Sequence, residues 1–198
     1  MRSAFDKLIS WTGLALAVVL LAAAGLLAWA NTFIGDQVHD QLSMQGITMP
    51  AGDALAGLPQ ADANILKQYA GSKLDTGPEA KAFADHYILV HMNEASGDRT
   101  YEDVSGEYIA LSDADKASAD GQALGQLRQT LFMGNTLRGL LLYGYAFATI
   151  GTIAGIAAIV SFGTAVLLLV LFAFGLWHAR RAEQTAERTA PAGVLQTA

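Results

Sequence analysis

The sequence predicts an all-α membrane protein with two transmembrane helices and a small helical domain between them. Three observations carry this. Residues 139–177 run for 39 positions without a charge. A second charge-free stretch covers residues 8–30. The 108 residues between 31 and 138 hold the polar remainder and show no strand-like alternation. A bilayer core about 30 Å thick needs roughly 20 apolar residues of helix. Thirty-nine residues would reach about 58 Å at 1.5 Å per residue. One crossing uses half of that run, so the other half must hide its apolar surface against the chain's own domain or a partner.

Residues 8–30 read as transmembrane helix 1, after a short N-terminus at 1–7. Trp11 and Trp29 lie 18 residues apart, about 27 Å of helix, which sets both indoles at membrane interfaces. Arg2, Lys7 and the A-x-A form of Ala28-Trp29-Ala30 also fit a cleaved signal. The apolar stretch exceeds the usual 7–15 residue signal core, so an uncleaved anchor is expected.

Residues 31–138 read as one acidic domain, large enough for a single small core. They carry 15 carboxylates against 7 cations, which argues against nucleic acid and against close contact with anionic lipid. Arg2 and Lys7 precede the first span, Arg180, Arg181 and Arg188 follow the second, and positions 31–50 contain no Lys or Arg. The positive-inside rule then puts both termini, 1–7 and 179–198, in the cytoplasm and the central domain outside the cell membrane. The chain has no cysteine, which excludes disulfides, thiolate metal sites and thiol nucleophiles.

Within the domain, residues 40–61 read as an irregular connector, rich in Gly and Pro. A helix is expected over about 62–70, begun by Asp62 and stopped by Gly71. Another runs over about 77–95, capped by Thr76, with Pro78 in its first turn and Gly97 past its end. Its apolar face is Phe83, Tyr87, Val90 and Met92. Thr100 to Asp103 and Ser112 to Asp115 resemble capping boxes. The helix after Ser112 carries Leu124, Leu127 and Leu131 and merges into the long apolar run. Residues 182–198 read as a flexible tail.

Trp177 marks the cytoplasmic interface of helix 2, and counting about 20 residues back places its span at 155–178. Residues 139–154 are the surplus half, expected to protrude from the membrane. Whether the helix is continuous or kinked between Gly134 and Gly155 stays open from sequence. Tyr143, Tyr145 and Phe147 give the surplus an aromatic surface. Gly151 and Gly155 form a G-x-x-x-G, and Gly144, Ala148 and Thr152 a second row of small residues, both suited to close helix approach. Just before it, Gln129 to Gly139 mixes polar residues with Phe132 and ends on Arg138, the last charge before the run. Arg138 is placed to pair with an acidic residue of the domain or a partner carbonyl. The candidate partner-docking set is therefore Phe132, Arg138, Tyr143, Tyr145, Phe147, Gly151 and Gly155.

Chemistry is thinly supported. His86 and His91 are five residues apart, about 140° around a helix, and do not share a face as zinc ligands spaced three or four apart do. A metal there would need His39 or a carboxylate folded alongside. No catalytic or nucleotide-binding motif occurs, and neither span core holds an Asp, Glu, Lys, Arg or His. No catalytic residue, cofactor or metal is expected.

The runs Phe83 to Ile88, Thr100 to Ser105, and Gln129 to Gly134 with Arg138 to Leu142 resemble a family of small two-span actinobacterial membrane proteins, often labelled as aromatic ring-opening dioxygenases. The residues here lend that label no support. The resemblance extends to accessory subunits of the actinobacterial respiratory supercomplex of cytochrome bc complex and cytochrome oxidase, and carries no catalytic residues with it. It implies a non-catalytic accessory or assembly subunit whose partners are other integral membrane subunits and lipid, with no nucleic acid. The alternatives are a membrane-anchored extracytoplasmic sensing or binding module, favoured by a sizeable polar pocket within 62–138, and an enzyme of unrecognised type, favoured by converging titratable groups.

Overall fold

A computed structural model describes residues 2–189. Residues 190–198 of the expected tail, and the side chains of Arg2 and Arg188, lie outside what it describes. The described chain is helical: α1 (Arg2–Ser43), α2 (Gln60–Leu66), α3 (Gly77–Phe83), α4 (Leu89–Ser96), α5 (Tyr101–Ala110), α6 (Asp113–Ala117) and α7 (Ala119–Thr189). Among the described residues the only β pairing is an isolated bridge between Thr48 and Lys73. Two helices, within α1 and α7, are long and apolar enough to cross a membrane. Only 11% of the most apolar 18-residue window of each is buried within the chain.

The chain divides into two compact units. One comprises residues 1–31 and 152–198. Here α1 and α7 pack antiparallel: Ser10 sits against Gly175 and Asn31 against Gly155, and the Trp11 and Phe172 rings meet edge-on at 5.7 Å. Ser10, Ala17 and Ala24 are buried on α1, and Ala158, Ala165 and Ala179 on α7. Small residues spaced by seven, or by twice seven from Ala165 to Ala179, keep one seam of each helix against the other and let the backbones approach closely.

The second unit comprises residues 32–151. The helix expected to end near residue 30 continues to Ser43. Its extension holds Ile34, Val38 and Leu42 at i, i+4, i+8, and Val38 and Leu42 join a core with Met49, Leu55, Leu66, Leu74 and Leu141. This apolar spacing in residues 31–43 was available in the sequence. The connector is shorter than 40–61, because α1 enters it at one end and α2 begins at Gln60. A 3₁₀ turn at Gly52–Leu55 buries Leu55 inside it. The strand-like pairing absent from the sequence reading is local: Met49 N–H donates to Ser72 O, Gly71 N–H to Met49 O and Leu74 N–H to Ile47 O.

The helix expected over 77–95 is one helical run, 77–96, with a π turn at Ala84–Ile88 inside it. Thr76 and Glu79 form its capping box, and Gly97 closes it in the left-handed conformation (φ 63°), where a residue without Cβ is favoured. The extra residue of a π turn sets the downstream face back by about 100°. Upstream, Phe83 and Tyr87 pack on the first core. Downstream, Met92 joins a second core with Val104 and Leu131. Ile88 packs against both.

The helix expected to run from Ser112 into the apolar run is interrupted. Asp113–Ala117 is a single turn, Ser118 is extended, and α7 begins at Ala119. From there α7 is unbroken through Gly134 to Gly155 and on to Thr189. The flexible tail expected from residue 182 is thus helical to 189, which follows from the strong helix formers Ala182, Glu183, Gln184, Ala186, Glu187 and Arg188.

Gly77 is a tight seat of this unit on α7. A Cβ added there would lie 2.4 Å from the Ala148 Cβ and 3.3 Å from the Tyr145 Cα. Gly77→Ala should therefore destabilise the protein by about 1–3 kcal/mol, read as a lowered melting temperature in detergent. Adding Ala148→Gly should recover part of the loss. A Gly77→Ala protein that melts like the parent would show that this contact is loose.

Candidate functional site

The candidate site is the 132–151 stretch of α7, seen within the second unit. At 100° per residue, Leu131, Arg138, Leu141 and Tyr145 fall on one side and Met133, Leu140, Tyr143, Phe147 and Ile150 on the other, with Leu137, Gly144 and Ala148 between them. The first side is covered. Leu131 and Leu141 are fully buried in the two cores, and Gly134 lies under Met92. Gly144 lies under Leu42 of α1, and Ala148 against Gly77. The close approach expected of Gly144 and Ala148 is thus made within this chain. The second side is bare: Phe132, Met133, Leu140, Phe147 and Ile150 are all more than half exposed, and Tyr143 is 67% exposed.

The seven docking candidates therefore separate. Tyr143 and Phe147 lie on the bare side. Phe132 borders it, its ring 5.8 Å from that of Tyr101. Arg138 and Tyr145 lie on the covered side, and Gly151 is buried. Gly155 belongs to the other unit, where it faces Asn31.

Arg138 finds the acidic residue the sequence offered. Its Nη2 donates to Asp85 Oδ1 at 2.8 Å, and Lys81 Nζ donates to Asp85 Oδ2. The π turn presents Asp85 between these two cations. Burial pushes the Asp85 carboxyl up, but the hydrogen bonds and charges of Lys81 and Arg138 outweigh it and hold the carboxyl below the ordinary aspartate value. Lys81 Nζ also lies 5.5 Å from the centre of the Tyr145 ring. The network ties α3 and its π turn to α7 at two points about two turns apart, Arg138 and Tyr145. Arg138 Nε is buried with no hydrogen-bond partner among the described residues.

Glu79 is the second anchor. Its Oε1 accepts from Ser72 Oγ at 2.7 Å. Its Oε2 accepts from the Asp75 and Thr76 backbone N–H groups and from Thr76 Oγ1. Burial raises its pKa, and these bonds, led by Ser72 and Thr76, lower it further than burial raises it. The carboxylate thereby fixes residues 72–76 onto the start of α3, next to the 71–74 stretch that pairs with 47–49.

An apolar groove of about 580 Å³ runs between the α1 extension and α7. Phe33, Ile34, Leu140, Phe147 and Ile150 line it, and Gln37, Gln41 and Gln45 edge it at i, i+4, i+8. None of its lining residues is charged. The glutamines were not singled out in the sequence; their spacing on the face beside Val38 and Leu42 was the available signal. A second cleft, about 500 Å³, lies within 99–127 and is lined in part by Arg99, Glu107, Asp115 and Asp120. Arg99 Nη1 bonds Glu107 Oε2 at 2.8 Å across it.

His86 and His91 take separate partners, and the π turn at Ala84–Ile88 removes most of the 140° offset that their spacing implied on a regular helix. His86 Nδ1 lies 2.7 Å from Asp62 Oδ1, and His91 Nδ1 lies 2.7 Å from the Tyr87 carbonyl. A carboxylate is thus folded beside His86, yet no group of three or more candidate ligands occurs among the described residues. Comparison with family models, with curated proteins and with solved structures finds no match for this chain.

The two lowered carboxyls set an acid limit. A folded pKa below the unfolded one contributes stability that is complete above the unfolded value and disappears as pH falls through the folded value. For Glu79 that loss begins near pH 4.5, and for Asp85 near 3.8. Glu79→Gln should lower the melting temperature at neutral pH and flatten its decline below pH 4.5. An unchanged acid profile in this variant would remove Glu79 from the anchor.

Proposed function

We propose that this chain is a non-catalytic accessory or assembly subunit of a larger membrane complex. Two spans anchor it, both termini lie in the cytoplasm, and the acidic helical domain lies outside. The basic residues flanking the two apolar helices and their absence from 31–50 support the topology. The sequence resemblance favours the respiratory supercomplex of cytochrome bc complex and cytochrome oxidase as the partner.

The observation that carries the reading is the bare side of α7. The domain covers one side of residues 132–151 and leaves Tyr143, Phe147, Leu140 and Ile150 exposed. Large apolar side chains in such a row mark an interaction surface, and each one buried by a partner is worth roughly 1.5–3 kcal/mol. The neutral groove beside them, with its edge of glutamine amides, suits a partner helix that is apolar with uncharged polar residues along one edge. Phe132, Tyr143 and Phe147 would make the contact, while Arg138, Tyr145, Gly151 and Gly155 hold α7 in position from behind.

A second reading has one observation in its favour. The acid-edged cleft formed with Glu107, Asp115 and Asp120 is large enough for a small ligand, as an extracytoplasmic binding module would need.

Mild-detergent purification from the native membrane, followed by mass spectrometry, separates the two. The accessory reading expects stoichiometric integral membrane subunits to accompany the parent. Tyr143→Ser with Phe147→Ser should reduce their recovery by at least tenfold, with insertion of the chain unchanged. Equal recovery with the double variant would show that the bare side is not the docking element. Purification of the parent alone would favour the binding module.

A further inference from the structure

Arg128 is a partly buried arginine without a carboxylate. The other two arginines of the second unit, Arg99 and Arg138, each pair with one. None of the ion pairs among the described residues includes Arg128. Its guanidinium is nonetheless held in place. Nε donates to the Oγ of the buried Ser105 at 2.9 Å, and the guanidinium carbon lies 5.4 Å from the centre of the Tyr108 ring. That ring is seated on Gly125, where an added Cβ would lie 2.9 Å from the ring Cε2. Ser105 and Arg128 both hydrogen-bond the Tyr101 hydroxyl and hold it below the ordinary tyrosine value. Tyr101, Gly125, Arg128, Gln129 and Phe132 line a pocket of about 270 Å³, with the Tyr101 and Phe132 rings 5.8 Å apart at its edge. About eighteen residues make five helical turns, and α7 is unbroken here. Gly125, Gln129 and Phe132 therefore lie in line with Tyr143, Phe147 and Ile150, and the pocket continues the bare side of α7.

We infer that this pocket receives one carboxylate from an Asp or Glu side chain of a partner subunit, as the charged contact of the bare side of α7. The inference rests on the accessory-subunit reading above. Charge selects the group. Residues 31–138 hold 15 carboxylates against 7 cations, a field that repels multiply charged anions such as phosphate. Arg128 can still accept a single carboxylate, because its terminal nitrogens present the planar fork that a carboxylate fits. Size selects the source: about 270 Å³ lies under the roughly 300–1,000 Å³ of small-molecule sites and suits one inserted side chain. Tyr108 and Ser105 already fix the guanidinium, so little rotamer freedom is lost on binding. The Tyr101 and Phe132 rings would shield the new ion pair from water and strengthen it. The groove beside Leu140 is uncharged, so the charge is read at this one level of α7.

A carbodiimide supplies the test. It joins a lysine amine to a carboxylate as an amide, takes up the water itself, and leaves a guanidinium untouched. The full-length protein is purified from the native membrane in mild detergent, as the parent and as Arg128→Lys. Both are treated with carbodiimide, and cross-linked peptides are mapped by mass spectrometry. Lys81 and Asp85, already in contact, are the internal control. In Arg128→Lys, position 128 should couple to an Asp or Glu of another subunit, and in the parent it should couple to nothing. Arg128→Gln should lower recovery of that subunit about tenfold at low salt. Coupling of position 128 to this chain's own carboxylates alone overturns the site. So does the absence of coupling there while Lys81 couples to Asp85, and so does an Arg128→Gln protein that retains the subunit like the parent. Other subunits that accompany the parent without coupling at position 128 would overturn this inference alone. A parent that brings no other subunit with it would overturn the accessory-subunit reading, and this inference with it.

Discussion

A charge-free helix longer than a bilayer is thick is the constraint on which this structure turns. The apolar run of 39 residues has to be shielded over its whole length, and about half of it exceeds what hydrocarbon can cover. The second unit answers by wrapping one side of α7. Leu42 seats on Gly144, Gly77 on Ala148, and Met92 on Gly134, so at three levels a small residue lets another element approach the helix backbone. Burial of Leu131 and Leu141 follows from that approach. Small residues in α7 are therefore doing different work from the large ones: they receive this chain's own elements, and the large ones on the opposite side remain uncovered.

Polar groups make the wrapping specific. Apolar contacts alone would let α3 slide along α7, because packing area is non-directional. Asp85, held between Lys81 and Arg138, fixes one rotation and one height. The π turn that presents Asp85 also redirects Met92 toward the second core, so one local irregularity serves both the ion network and the packing. Such turns are rare and concentrate where a helix has to meet two demands at once. Glu79 does the same for the loop, binding residues 72–76 to the helix start.

Much of this was legible in the sequence. Both apolar segments, the caps at Thr76, Thr100 and Gly97, and the pairing of Arg138 with a domain carboxylate follow from composition and spacing. Three features were not anticipated. The continuation of α1 to Ser43 is masked by Gly35 and by the polar residues between Ile34, Val38 and Leu42. The π turn has no composition of its own, since Ala84 to Ile88 reads as ordinary helix. The sorting of docking candidates onto two sides of α7 depends on which face the domain covers, and that is decided by residues distant in sequence, such as Leu42, Gly77 and Met92. Tyr143 and Tyr145 look equivalent in sequence, yet only Tyr145 faces α3 and Lys81.

The central claim is that the two apolar helices cross a membrane and leave the domain between them on the opposite side from the termini. Because the chain has no cysteine, a single introduced thiol reports its own location. Glu94 and Ala182 are both exposed, one in the domain and one past the second span. In intact cells a membrane-impermeant maleimide should label Glu94→Cys and should reach Ala182→Cys only after permeabilisation. Labelling of Ala182→Cys in intact cells, or of Glu94→Cys only after permeabilisation, would contradict the account.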